Sequence, residues 1–206
     1  RGLQPETIRE LMIQVGPKPI NATLSWDMIA SVNRSNLEPK ANRYFFVKDP
    51  VPLRVSGILE EHTAGLPLHP DYPERGNRRH IVRPDKGMAN FVVSQDDEEN
   101  LSTGRVVRLM GLFNVEIMGE GSDALEGRYH SKGVQKAREA DAPFIHWLPK
   151  DAGIKAEVIM PDASVAQGLA ESTCKGLDFD SMIQFERFGF VRVDSMEPFV
   201  TYFAHR

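Results

Sequence analysis

The sequence predicts a mainly β fold behind a short helical beginning, and three observations carry that prediction. Only the first 42 residues show helical spacing of apolar side chains; beyond them apolar residues recur with a period of two; and Gly- and Pro-rich turns separate the short runs. Many short strands joined by turns imply barrels, either one large barrel or two small ones sharing connections.

Pro5 at a first-turn position, Ile8, Leu11, Met12 and Val15 at helical spacing, and Gly16 as a stop describe one short amphipathic helix. Trp26, Ile29, Ala30 and Val32 supply the apolar side of a second, and the two are expected to pack as a helical hairpin before the sequence changes character near Asn42. Val51, Leu53 and Val55 then alternate with Pro52, Arg54 and Ser56, as a half-buried strand requires. In the clearest alternation, Val107, Leu109, Phe113, Val115 and Ile117 face one way and Arg108, Met110, Leu112, Asn114 and Glu116 the other, which predicts an exposed Arg108. Ile154, Ala156 and Val158 repeat the pattern against Lys155 and Glu157. Punctuated loops fall at residues 67–76 and 119–133, and no repeat or low-complexity tract is present.

A chain of 206 residues, 41% of them hydrophobic, can bury a core without covalent staples. Cys174 is the only cysteine, which rules out an internal disulfide and a cysteine-rich metal site and leads us to expect a reducing compartment, the cytoplasm. No apolar run approaches the roughly 18 residues of a membrane span, so no membrane partner is expected. The chain opens on Arg1 with helical sequence close behind, from which we expect a piece of a longer protein. A net charge of -4 argues against non-specific gripping of polyanions. Charge is nevertheless uneven: Arg75, Arg78, Arg79, His80 and Arg83 form one basic stretch, Arg128, Lys132, Lys136 and Arg138 another, and Asp96 to Glu99 read as a solvated acidic turn.

The stretch Gln184-Phe-Glu-Arg-Phe-Gly-Phe190 and the distant Arg43-Tyr-Phe-Phe-Val-Lys-Asp-Pro-Val51 each place long planar donors beside aromatics in strand-prone sequence. That combination holds unstacked bases, and it points to RNA. Tyr44, Phe45, Phe46, Phe185, Phe188 and Phe190 are either stacking platforms or core residues, and composition leaves both open. Arg75, Arg78 and Arg79, in the loop and the run after it, are candidates for RNA backbone contacts. The six histidines lack metal-ligand spacing, and nucleophile-elbow, phosphate-loop and dinucleotide fingerprints are all missing, so no catalytic or metal site is expected in these residues.

In order along the chain, Arg1-Gly-Leu-Gln-Pro-Glu-Thr-Ile-Arg9, the Arg43 to Pro50 stretch, Leu68-His-Pro70 with Pro73-Glu-Arg-Gly76, Ile145-His-Trp147 and Gln184-Phe-Glu-Arg187 resemble the C-terminal half of glutamyl- and glutaminyl-tRNA synthetases. The ending Tyr202-Phe-Ala-His-Arg206 is similar to the archaeal glutamyl branch. The resemblance implies two small antiparallel β-barrels preceded by a short helical region: a stem-contact part over residues 1–42 and an anticodon-binding part over 43–206, with one barrel roughly at 85–145 and the other built from the flanking segments. It implies that the residues matching Arg43 and Gln184 contact the middle anticodon base, and that those matching Arg108 and Arg187 hold its neighbours. The implied partner is tRNA-Glu, with tRNA-Gln a second candidate, bound by a monomer and without DNA; ATP and Mg would serve a catalytic domain outside these residues, whose parent would be a glutamate-tRNA ligase. The sequence departs from the glutaminyl branch at Glu99 and Asn100, which replace a lysine-arginine pair, and at Met110, which replaces an arginine, so the glutamine-specific code is not carried over. A β-barrel protein-interaction module without RNA binding is the alternative reading, and a small carboxylate hydrolase a third.

Overall fold

The computed structural model describes residues 1–17 and 23–206. Pro5 starts α1 (Pro5–Val15) and Gly16 ends it with a φ of 71°, as the sequence predicts. Ser25 caps α2 (Trp26–Leu37), its Oγ accepting from the Met28 amide at 3.2 Å. The two helices pack together, but of the expected apolar residues only Leu11 is fully buried. Ile8, Met12 and Trp26 lie exposed, and Leu11 is joined in the interior by Thr7 of α1 and by Asn33 and Leu37 of α2. Asn33 organises the joint. Its Oδ1 accepts from the Gln4 amide at 2.8 Å and from Thr7 Oγ1 at 2.9 Å, while its Nδ2 donates to Gly2 O and to His205 Nε2. With His205 Nε2 accepting, Nδ1–H is left to donate to Arg206 O at 2.9 Å.

The β region runs β1 (Asn42–Tyr44), β2 (Phe46–Lys48), β3 (Pro50–Ser56), β4 (His62–Pro67), β5 (Asn77–Val82), β6 (Met88–Ser94), β7 (Val106–Leu109), β8 (Asn114–Glu120) and β9 (Leu125–Ser131). A one-and-a-half-turn helix, α3 (Val134–Glu139), precedes β10 (Phe144–Ile145), β11 (Trp147–Pro149), β12 (Gly153–Ile159), β13 (Val165–Glu171), β14 (Met182–Phe185), β15 (Gly189–Met196) and β16 (Phe199–His205). β4 and β5 form a separate hairpin. The other strands make two sheets of seven, ordered β10-β7-β8-β9-β3-β6-β11 and β1-β14-β15-β16-β12-β13-β2.

The end strands of each order are consecutive in sequence and separated by a single residue, His146 in the first sheet and Phe45 in the second. One kinked segment thus pairs with one end of its sheet through its first half and with the other end through its second. Each sheet thereby curls into a nearly closed barrel, which removes most of the unpaired edge. We call the first the central barrel and the second the outer barrel. Taken from the split strand, both follow the same sequence of pairings: parallel, antiparallel, antiparallel, parallel, antiparallel, antiparallel. The antiparallel expectation therefore holds for most pairings, with a parallel exception at equivalent places in each barrel. In chain order the split strand comes last in the central barrel and first in the outer one, so the two are circular permutations of one topology. The central barrel also reaches beyond residues 85–145, because β3 lies between β9 and β6, and β11 pairs with β6.

Each barrel has its own core. Phe91, Phe113 and Trp147 fill the central one beside Val107, Val115 and Ile117, and Phe46, Phe185, Val191 and Val193 fill the outer one. Full burial of each such side chain contributes about 1.5–3 kcal/mol. The two split-strand residues meet where the barrels join: the rings of Phe45 and His146 stack with centroids 4.5 Å apart and planes 26° apart. None of the helices is long and apolar enough to cross a membrane among the described residues.

Candidate nucleic-acid interface

Strand register brings Arg43 and Gln184 together. β1 and β14 pair in parallel with Arg43 opposite Gln184, while the next rung, Tyr44 opposite Phe185, points into the core. Alternation therefore turns Arg43 and Gln184 to the outer face, side by side although 141 positions apart in sequence. Arg43 is held by Glu38, whose Oε1 accepts from Nη2 at 2.6 Å, and its Nε is buried with no partner among the described residues. His69 keeps Glu38 in place: the Asp71 amide donates to its Nδ1 at 3.1 Å, so Nε2–H donates to Glu38 O at 2.7 Å. Arg75 donates to Pro39 O, to Lys40 O at 3.2 Å and to Asn42 Oδ1 at 3.3 Å, which ties the 67–76 loop to the turn ahead of β1.

The turn between β14 and β15 carries Glu186 and Arg187, the latter with a left-handed φ of 61°. Backbone in that region is uncommon for a side chain this large and is kept only where the surroundings fix it. Both flanks of the turn are fastened. Arg187 donates from Nη1 and Nη2 to Asp97 of the central barrel at 3.1 and 2.6 Å, and Glu186 accepts from Arg78 Nη2 at 2.5 Å. Asp97 is only 2% exposed, so the acidic run is not wholly the solvated turn that its composition suggests. Arg187 remains half exposed, with the Nε edge of its guanidinium outside the bidentate pair.

Arg78 is corrected from RNA contact to internal brace. It is 2% exposed, donates from Nη1 to Glu171 Oε2 at 2.8 Å, and lies over the Phe45 ring at 5.0 Å. Burial raises the Glu171 carboxyl, but His80, Arg78 and Thr173 together hold it below the usual value, and its Oε2 also accepts from the Phe45 amide at 2.9 Å. His146 is driven the other way: burial, helped by Arg187 and Arg78, lowers its pKa to about 3, so the stacked ring is neutral. Strict alternation along β5 explains the difference between neighbours, since Arg78, His80 and Val82 turn inward and Arg79 outward. Of the three proposed backbone contacts, Arg79 is the exposed one without a structural bond among the described residues.

Arg108 is the second correction. The sequence predicts it exposed, yet it is 6% exposed and donates from Nη1 to Asn114 Oδ1 at 2.9 Å and Lys132 O at 3.1 Å. The chain turns between Leu109 and Asn114, so the single alternation read through this stretch is two strands of a hairpin, and both faces of β7 are covered. The aromatics near Arg43 and Arg187 are core residues: Tyr44, Phe45, Phe46, Phe185 and Phe190 are buried, and Phe188 is partly buried against the outer core. Phe144, 43% exposed opposite Arg108, is an aromatic outside the two stretches that the sequence singles out.

Two family models match the chain, both described as the anti-codon binding domain of class I tRNA synthetases (E and Q), over residues 41–132 and 144–194. Curated relatives named glutamate--tRNA ligase include that of Thermococcus kodakarensis, 47% identical over all of this chain and 36% of the relative. Those of Methanopyrus kandleri and Methanothermobacter thermautotrophicus are each 43% identical, over 95% and 100% of this chain and 34% and 35% of theirs. The chain thus spans about a third of the length of the relatives it matches. Each matched stretch takes in strands of both split-strand barrels, and the chain belongs to the anticodon-binding domains of the class I glutamyl- and glutaminyl-tRNA synthetases.

Proposed function

We propose that the chain binds tRNA-Glu through its anticodon, as the recognition part of a glutamate-tRNA ligase whose ATP- and Mg-dependent chemistry is performed by other segments in the cytoplasm. The observation that carries this reading is the shared rung of Arg43 and Gln184, with Arg187 on the hairpin that continues it. A guanidinium and a carboxamide side by side offer planar donors and an acceptor to the open edge of an unpaired base, which duplex RNA would hide. Glu38 and Asp97 hold both arginines in position beforehand, so little side-chain freedom is lost on binding. A negatively charged protein with such a site selects its RNA by base contacts more than by bulk attraction.

The test is a titration of the chain with tRNA-Glu, tRNA-Gln and a tRNA of unrelated anticodon at low and moderate salt. Tight binding of tRNA-Glu, weakened about tenfold or more by Gln184→Ala or Arg43→Ala, is expected. Equal affinity for all three RNAs, or indifference to both substitutions, overturns the reading in favour of a protein-interaction barrel. Binding of tRNA-Gln alongside tRNA-Glu extends the partner class to both.

A further inference from the structure

Where the two barrels meet, the turn Gln95–Asn100 of the central barrel lies against β2 of the outer one. Ser94 ties them together: its hydroxyl donates to Lys48 O at 3.0 Å and accepts from the Asp96 amide at 3.3 Å. The Gln95 amide also donates to Asp49 O at 3.2 Å. The backbone of the turn is thus fastened, and it delivers Asp96 and Asp97 to a small cleft of about 80 Å³ that Arg187 and Glu186 line from the β14–β15 turn.

Every charged side chain lining this cleft already has an opposite charge. Arg187 is paired with Asp97, Glu186 with Arg78, and Lys48 Nζ with Asp96 Oδ1 at 2.9 Å, Asp49 standing second at 3.6 Å. The pairs differ in access. Asp97 and Arg78 are buried, whereas both members of the third pair reach solvent, the Lys48 side chain 31% exposed and that of Asp96 59%. Lys48 is therefore the cation of the cleft that an RNA phosphate can take over, and Asp96 is the group that the phosphate must displace. The cleft also has a use for a polar visitor: His146, 4% exposed, lies on its wall with an Nε2 that has no partner among the described residues.

We propose that Asp96 is a specificity-determining residue, which withholds Lys48 from RNA phosphates and so denies a foothold at the barrel junction to RNAs whose anticodon bases do not match. The inference rests on the RNA-binding reading above and adds to it a residue that acts by exclusion. Exchanging one anion for another on the same ammonium changes the free energy little, so a phosphate contributes almost nothing here while Asp96 is present. Asp96, chiefly through its hydrogen bond, raises the pKa of Lys48, as a standing pair does. An RNA held by charge alone settles wherever a free cation lies, and it loses most from this arrangement. A matching RNA is kept in register by its base contacts to Arg43, Gln184 and Arg187 and does not depend on Lys48.

The experiment measures the affinity of the chain for tRNA-Glu and for a tRNA of unrelated anticodon across a series of salt concentrations. Asp96→Asn, which keeps the backbone bond to Ser94, is expected to tighten the unrelated tRNA about threefold or more at low salt and to steepen its salt dependence by close to one released ion, with tRNA-Glu tightened less. Adding Lys48→Met to Asp96→Asn is expected to return both quantities to those of the unaltered chain. Glu99→Gln removes an equal charge from the same turn but frees no cation among the described residues, and is expected to leave the unrelated tRNA close to its original affinity. Equal tightening of both tRNAs overturns the specificity role. A gain from Glu99→Gln as large as that from Asp96→Asn assigns the effect to bulk charge and overturns the role of the pair, as does a gain that survives the loss of Lys48. No change in Asp96→Asn, in a chain that still prefers tRNA-Glu, overturns the inference and leaves the RNA-binding reading standing. An unaltered chain without preference for tRNA-Glu overturns both.

Discussion

Neighbouring arginines in one stretch can have opposite fates, and Arg78 and Arg79 show why. Their side chains leave the same strand on opposite faces, and only the inward one finds Glu171 and Glu186. Removing one member of a buried ion pair strands the other without solvent, so Arg78→Ala is expected to lower stability by about 3–5 kcal/mol in urea unfolding. Arg79→Ala is expected to stay within about 0.5 kcal/mol of the parent. Equal effects would mean that the Glu171–Arg78–Glu186 array does not hold the β4–β5 hairpin to the outer barrel. At this scale the sequence was informative about residue type and silent about direction. Arg43, Gln184 and Arg187 were legible as a group because aromatics and strand-prone residues surround them. The inward turn of Arg78, the burial of Arg108 and the pairing of Asp97 with Arg187 were not, since each depends on a partner brought close only by the tertiary fold.

At the scale of an element, the β14–β15 hairpin matters most, because it carries Gln184, Glu186 and Arg187. Gly189 permits its exit: φ is 148°, and an added Cβ would sit 2.7 Å from both His205 O and the Phe203 ring. Neither neighbour can withdraw easily, one being backbone of β16 and the other packed against Phe188. Gly189→Ala is expected to destabilise by about 1–3 kcal/mol in thermal or urea unfolding; an unchanged midpoint would show that the hairpin can shift away from β16. The strands themselves were largely readable from period-two alternation, as with Val51, Leu53 and Val55 or Ile154, Ala156 and Val158. The helices were readable as helices through Pro5 and Gly16, but their apolar stripes misled. Ile8, Met12 and Trp26 are exposed, and the joint is made by Asn33, a polar residue that no hydrophobic pattern can flag.

Across the whole molecule, the junction between barrels makes stability depend on pH in one direction. His146 has a pKa near 3 when folded against 6.5 ordinarily, so its contribution is complete above pH 6.5 and is lost as pH falls toward 3, on the order of 5 kcal/mol in full. Glu171, also depressed, contributes above its ordinary 4.5 and loses that contribution as pH falls further. His205 at the helix joint, lowered by burial, acts with the same sign as His146. The urea midpoint is therefore expected to decline below pH 6.5, and His146→Phe, which keeps a ring against Phe45, to flatten part of that decline between 6.5 and 4.5. A profile identical to the parent's would remove His146 from the account. The same junction has a consequence in time as well as in pH. The outer barrel opens with residues 42–48 and resumes only at 153, with the whole central barrel in between. As the chain leaves the ribosome, the central barrel can close by residue 149, while Phe46 and Val47 wait for the β13 strand they pair with. The first strand of the outer barrel to be laid down thus waits longest for its partners, and its apolar strip stays open until the strands from Gly153 onward are made.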